Sequence, residues 1–133
     1  MNKPHLVARY MEGFFRQYLG ALRGVSDKTM LSYRDALKLL LCFAADRLGR
    51  EVDELAIEDL DDKVIVAFLD HVEKERNCCV RTRNVRLAAV STFFKYAGRQ
   101  EPSLLPQCHA IHTIPYKRDE HKTLDYLDNK EIQ

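Results

Sequence analysis

The sequence predicts an all-α domain, a bundle of four main helices, and three observations carry that prediction. Apolar residues recur at three- and four-residue intervals in four successive segments, the spacing that gathers them on one face of a helix. Ser, Asp, Gly and Pro stand where such segments would start and stop. No stretch requires a strand to account for its pattern. A chain of 133 residues with 46% hydrophobic content can fill the core of one ordinary domain and leave a tail.

The first helix is expected over His5 to Leu19, with Pro4 suited to its first turn and Gly20 to its end. Leu6, Val7, Tyr10, Met11, Phe14, Phe15, Tyr18 and Leu19 repeat at helical intervals, while Arg9, Arg16 and Arg23 fit a solvated face. Gly20 to Val25 reads as a connector. Ser26 then makes an N-cap, because its hydroxyl can accept from an otherwise unpaired amide, and Asp27 suits the positive helix end. The second helix runs to about Leu48 and is closed by Gly49. Met30, Tyr33, Leu37, Leu40, Leu41 and Ala44 form its inner stripe; Lys28, Leu31, Ser32 and Asp35 lie opposite, with Asp35 expected to pair with Lys38 or Arg34.

Glu51 to Asp62 is an acidic connector holding one apolar island, Leu55, Ile57 and Leu60. Asp61 or Asp62 can cap a third helix reaching about Arg76, with Val64, Ile65, Phe68, Leu69 and Val72 inward. Asn77 to Cys79 forms the turn into the fourth helix, with Asn77 a possible cap. Its stretch from Arg76 to Gln100 carries six basic residues and no acid. At about 100° per residue, Leu87, Val90, Phe93, Phe94 and Ala97 share the inner side, and Arg81, Asn84, Ala88, Ser91, Thr92 and Lys95 the outer. Arg83 and Arg86 project toward the edge of the apolar stripe, where they can pair with the acidic third helix. Pro102 and Pro106 punctuate a short helix through about His112, and Pro115 ends it. Residues 116 to 121 read as a linker, and Asp128 caps a helix the sequence does not complete, which predicts that the natural protein continues.

The net charge of +1 hides a strong segregation. Residues 1–50 hold nine basic and four acidic groups, 51–75 two and ten, 76–100 six and none, and 101–133 four and six. A molecule with one basic and one acidic side is expected, the acidic third helix lying opposite the basic surface. No apolar run approaches the roughly 18 residues a membrane span needs, so a soluble, cytoplasmic protein is expected. Cys42, Cys78, Cys79 and Cys108 match neither a disulfide framework nor a paired metal motif, as in a reducing compartment. Glycines never cluster into a phosphate-cradling loop, and no H-E-x-x-H occurs. Cys108, His109 and His112 lack a fourth ligand, so no metal, cofactor or catalytic site is expected.

Nucleic-acid binding is better supported, because two helices supply it together. The second offers Lys28, Thr29 and Ser32 near its N-terminus, and the fourth offers Arg81, Thr82 and Asn84 near its own. Helix N-termini favour anions through free amides and the dipole. Arg and Lys contact phosphates, whereas Asn and Arg can also read base edges in pairs of hydrogen bonds.

The segment Lys28-Thr29-Met30-Leu31-Ser32-Tyr33-Arg34-Asp35-Ala36-Leu37 resembles the second helix of the N-terminal core-binding domain of tyrosine recombinases, the phage-integrase and Xer-type family. Val66 to Glu73 is similar to that domain's third helix, and Thr82 to Tyr96 to its fourth. Ile114 to Arg118 and Tyr126 to Ile132 resemble the interdomain linker and the first residues of the catalytic domain. The turn at Asn77 to Val80 departs from the family's glycine and small polar residue.

The resemblance implies a SAM-like helical bundle over residues 1–113, with 114–133 forming the linker and the start of an absent catalytic domain. It implies half of a C-shaped clamp on double-stranded DNA, gripping a recombination half-site with its second and fourth helices. Carried over by position, Lys28, Thr29, Ser32, Arg81, Thr82, Asn84, Ser91 and Lys95 become DNA contacts, with Lys117 and Arg118 following the backbone. Other protomers would join in a synaptic tetramer of the full-length protein. The family's catalytic residues fall beyond Gln133, so this stretch would bind without cutting. The rival reading is a helical protein-interaction module working through its acidic third helix.

Overall fold

The computed structural model describes residues 5–22, 24–75 and 79–118. The expectations that fall on Pro4, Arg23, Arg76, Asn77, Cys78 and residues 119–133 lie outside those residues. Helix α1 (Val7–Gly13) runs directly into a wider, π-type stretch, Phe14–Leu22, so the first helix neither stays α nor ends at Gly20 as expected. The wider turn brings residues five apart onto one side, and Phe14 and Leu19 are both fully buried. Phe14 explains the demand for that geometry. Its ring meets Tyr18, Tyr33, Phe93 and Tyr96 at centroid distances of 5.8, 6.4, 5.3 and 5.7 Å. Gly13 lets this cluster close, since a Cβ there would collide with the Tyr96 hydroxyl.

Helix α2 (Asp27–Leu48) begins and ends as the sequence predicts. The Ser26 hydroxyl accepts from the Thr29 amide at 3.2 Å, and Gly49 closes the helix at φ 66°, a left-handed conformation that glycine adopts without steric penalty. The expected ion pair of Asp35 does not form among the described residues; Arg34 instead lies over the Phe15 ring, 5.9 Å from its centroid.

Two short 3₁₀ turns, Val52–Glu54 and Ile57–Asp59, make up the acidic connector. Leu55, Ile57 and Leu60 are all fully buried beneath it. The Val7 amide donates to the Leu55 carbonyl at 2.9 Å and the Ile57 amide to the His5 carbonyl at 2.7 Å, which ties the connector to the start of α1. Asp61 caps helix α3 (Asp62–Glu75) by accepting from the Val64 amide at 2.9 Å. Helix α4 (Val80–Gln100) follows, with Cys79 at its N-cap position. After a 3₁₀ turn at Pro102–Leu104 comes α5 (Leu105–His112).

Helix α4 is the spine. It packs against α2, α3 and α5, and Leu87, Val90, Phe93, Phe94 and Ala97 are all buried, as their spacing predicts. Gly98 allows α5 to come close: a Cβ there would stand 3.0 Å from Leu105 Cδ2 and 3.1 Å from Cys108 Sγ. The Gln107 amide fastens α5 to the connector by donating to the Ile57 and Leu60 carbonyls at 2.6 and 2.9 Å. Among the described residues there is no strand, only an isolated bridge between Leu6 and Ala56. No described helix is long and apolar enough to cross a membrane.

Candidate nucleic-acid interface

The outer side of α2 opens with Ser26, whose hydroxyl donates to Thr29 Oγ1 at 3.0 Å while capping the helix. Thr29 is therefore held at the first turn, half-buried, with Lys28 exposed beside it. Ser32 is half-buried one turn on, and Leu31 stands between them, 55% exposed. On α4, Arg81 and Lys95 are exposed. Thr82 Oγ1 lies 3.4 Å from Cys79 Sγ, a contact that steadies the first turn where no side-chain cap exists. This contact helps hold the exposed Cys79 thiol below its ordinary pKa.

Asn84 makes a contact its sequence position does not reveal. Its Nδ2 donates to the Lys117 carbonyl at 2.7 Å, and its Oδ1 accepts from the Lys117 amide at 3.0 Å. Both ends of the amide are thus engaged with one backbone unit 33 residues away, the same paired geometry that reading an adenine would use. Arg83 lies next to it, only 5% exposed, and donates to Asn84 Oδ1 at 3.1 Å and to the Pro115 carbonyl at 3.2 Å. Its Nε stands 3.9 Å from Glu73, so the pairing expected of Arg83 with the third helix is present as an ion pair, whereas Arg86 makes none among the described residues and its Nη1 is buried without a hydrogen-bond partner. Lys117 Nζ meets the same Glu73 carboxylate at 2.9 Å. The acidic helix therefore does not stand wholly apart from the basic surface: its last turns reach the first turns of α4.

These contacts strap the segment after Ile114 onto the start of α4. Tyr116 is 54% exposed, and its phenol is pushed above the ordinary tyrosine pKa by partial desolvation and then by Tyr33 of α2. The first turns of α4 therefore hold this piece of chain, and Arg118 follows it, exposed.

Further along α4, Ser91 is half-buried and its hydroxyl lies 2.6 Å from His112 Nδ1. His112 belongs to the same surface, and sequence spacing on α4 alone could not bring it there. Cys108 is buried against Gly98, whereas His109 and His112 are exposed. No group of three His, Cys, Asp or Glu residues suited to a metal ion occurs among the described residues.

Residues 13–101 match the family described as phage integrase, N-terminal SAM-like domain. The chain belongs to this family. Its all-α helical bundle is the SAM-like fold of that family. Two relatives from Sinorhizobium fredii, y4rD and y4rC, both provisionally named integrase/recombinase, are 39% and 38% identical over 132 residues. Each alignment covers 99% of this chain, but only 47% and 40% of the relative. The tyrosine recombinase XerC of Pelotomaculum thermopropionicum is 31% identical over 87 residues, 65% of this chain and 28% of that protein. The chain thus spans less than half the length of these relatives. No solved structure gives a significant match.

Proposed function

We propose that this chain is the DNA-binding arm of a tyrosine recombinase, gripping the major groove of a recombination half-site with the early turns of α2 and α4. The observation that carries the proposal is the strapping of the segment at Pro115 and Lys117 onto the first turns of α4, beside the exposed Arg81. In this reading residues 114–133 are the linker into a catalytic domain, and Arg118 leaves the bundle beside the surface that holds the duplex. Lys28, Arg81 and Lys95, all exposed, supply phosphate contacts. Thr29, Ser32, Thr82 and Ser91 lie among them as shorter polar contacts, and the Leu31 side chain offers an apolar surface to a thymine methyl group. Asn84 and the Lys117 backbone serve as the anchor of the linker. Catalytic residues would lie in the domain beyond Gln133, so this chain binds duplex without cutting it, and synapsis with other protomers belongs to the full-length protein.

Fluorescence anisotropy with a short labelled duplex tests the reading. Arg81→Ala and Lys95→Ala should each weaken binding across all sequences and lower the salt dependence by about one counterion. Full affinity in both variants would refute the placement of the surface. The rival reading, an interaction module built on the acidic third helix, has one carboxylate already engaged, because half-buried Glu73 pairs with Arg83 and Lys117.

A further inference from the structure

We infer that His112, held by Ser91 beside Lys95, is a phosphate ligand of the DNA-binding surface and takes up a proton when the duplex docks. The inference rests on the DNA-binding reading and adds to it a residue, a helix and a pH dependence. Four polar side chains make the site. Ser91 and Lys95 are one turn apart on α4, and His109 and His112 are one turn apart on α5. The two helices pack through Gly98, and the Ser91 to His112 contact at 2.6 Å joins the pairs.

That contact leaves the far ring nitrogen of His112 available on an exposed side chain. With the ring neutral and Nδ1 accepting from the Ser91 hydroxyl, Nε2 carries the hydrogen and can donate to a phosphate oxygen. With the ring protonated, Nδ1–H donates to Ser91 Oγ, and the hydroxyl hydrogen is freed to turn toward the same phosphate. Ser91 therefore supports either state, and protonation adds both a charge and a donor.

The surroundings decide which state the free protein holds. Partial desolvation first, then Lys95 on α4 and His109 on α5, push the His112 pKa below the ordinary histidine value, which favours the neutral ring in the free protein. All three causes disfavour the cation. A phosphate arriving at this quartet reverses the two electrostatic ones, because it neutralises Lys95 and attracts the imidazolium directly. Binding and protonation then reinforce each other: affinity rises as pH falls, by up to about tenfold per pH unit for one proton, between the His112 pKa of the free protein and that of the complex.

The test is duplex affinity of the whole 133-residue chain from pH 5.5 to 8 at constant ionic strength, read by anisotropy, together with the His112 ring pKa by NMR with and without duplex. The expected results are tighter binding toward acid, a ring pKa that rises on binding, and a flattened pH profile in His112→Gln, which keeps a polar partner for Ser91 without the charge. His109→Gln controls for the neighbouring ring. Arg81→Ala should weaken binding at every pH while keeping the slope. An unshifted His112 ring, or a pH profile unchanged in His112→Gln, overturns this inference alone. Absence of duplex binding at every pH overturns the DNA-binding reading and this inference with it.

Discussion

Replacing Asn84 by Ala separates an anchor from a base reader. In the structure the Asn84 amide makes two hydrogen bonds to the Lys117 backbone, at 2.7 and 3.0 Å. Each partly exposed hydrogen bond contributes about 0.5–1.5 kcal/mol net, so the pair holds the strap with about 1–3 kcal/mol. The remaining contacts are weaker replacements. Lys117 Nζ to Glu73 is an ion pair with 47% and 22% of the side chains exposed, in the class worth at most about 1 kcal/mol. The Arg83 bond to the Pro115 carbonyl, at 3.2 Å, fastens the segment two residues earlier. Asn84→Ala should therefore raise the population in which the strap has lifted from α4 by about 5- to 150-fold, with little change in global stability. Hydrogen exchange at the Lys117 amide reads this directly, because Asn84 Oδ1 is its acceptor. Protection should be measurable in the parent chain and fall by that factor in the variant. An amide that exchanges equally fast in both proteins would refute the anchor. Unchanged protection combined with relaxed base preference on DNA would return Asn84 to the role its sequence position first suggests.

Two further predictions concern packing and thiol chemistry. Gly13→Ala places a methyl group against the Tyr96 hydroxyl inside the aromatic cluster, so it should destabilise the fold by about 1–3 kcal/mol in denaturant titration; a neutral effect would mean the cluster is loosely packed. Alkylation should modify Cys79 well before Cys108, because Cys79 is exposed with its pKa lowered, and Cys108 is buried with its pKa raised by burial. Equal rates, followed by peptide mapping, would contradict the burial of Cys108 against Gly98.

Features governed by neighbouring residues were legible in the sequence. Ser26 and Asp61 cap α2 and α3, and Gly49 closes α2, because each acts on backbone groups only a few residues away. The burial of Leu55, Ile57 and Leu60 was legible as an apolar island in acidic surroundings, and the pairing of Arg83 with Glu73 as a basic residue at the edge of an apolar stripe. Contacts made across the chain decided the rest. The π-type geometry of Phe14–Leu22 answers to Tyr33, Phe93 and Tyr96, which no local pattern connects to Phe14. Asn84 at an outward helix position reads the same whether or not it holds the backbone of Lys117, a contact that only the fold reveals. His112 joined the surface for a related reason: its partner Ser91 lies 21 residues earlier, on another helix.

Salt dependence of duplex binding by the 133-residue chain tests the central claim most directly. Lys28, Arg81, Lys95 and Arg118 are exposed on the proposed surface and its outgoing linker. If these four cations meet phosphates, log affinity should fall against log salt with a slope of about −3 to −4. The slope should become shallower by about one when either Arg81 or Lys95 is replaced by Ala. Absence of duplex binding even at low salt, or an affinity indifferent to salt, would contradict the account.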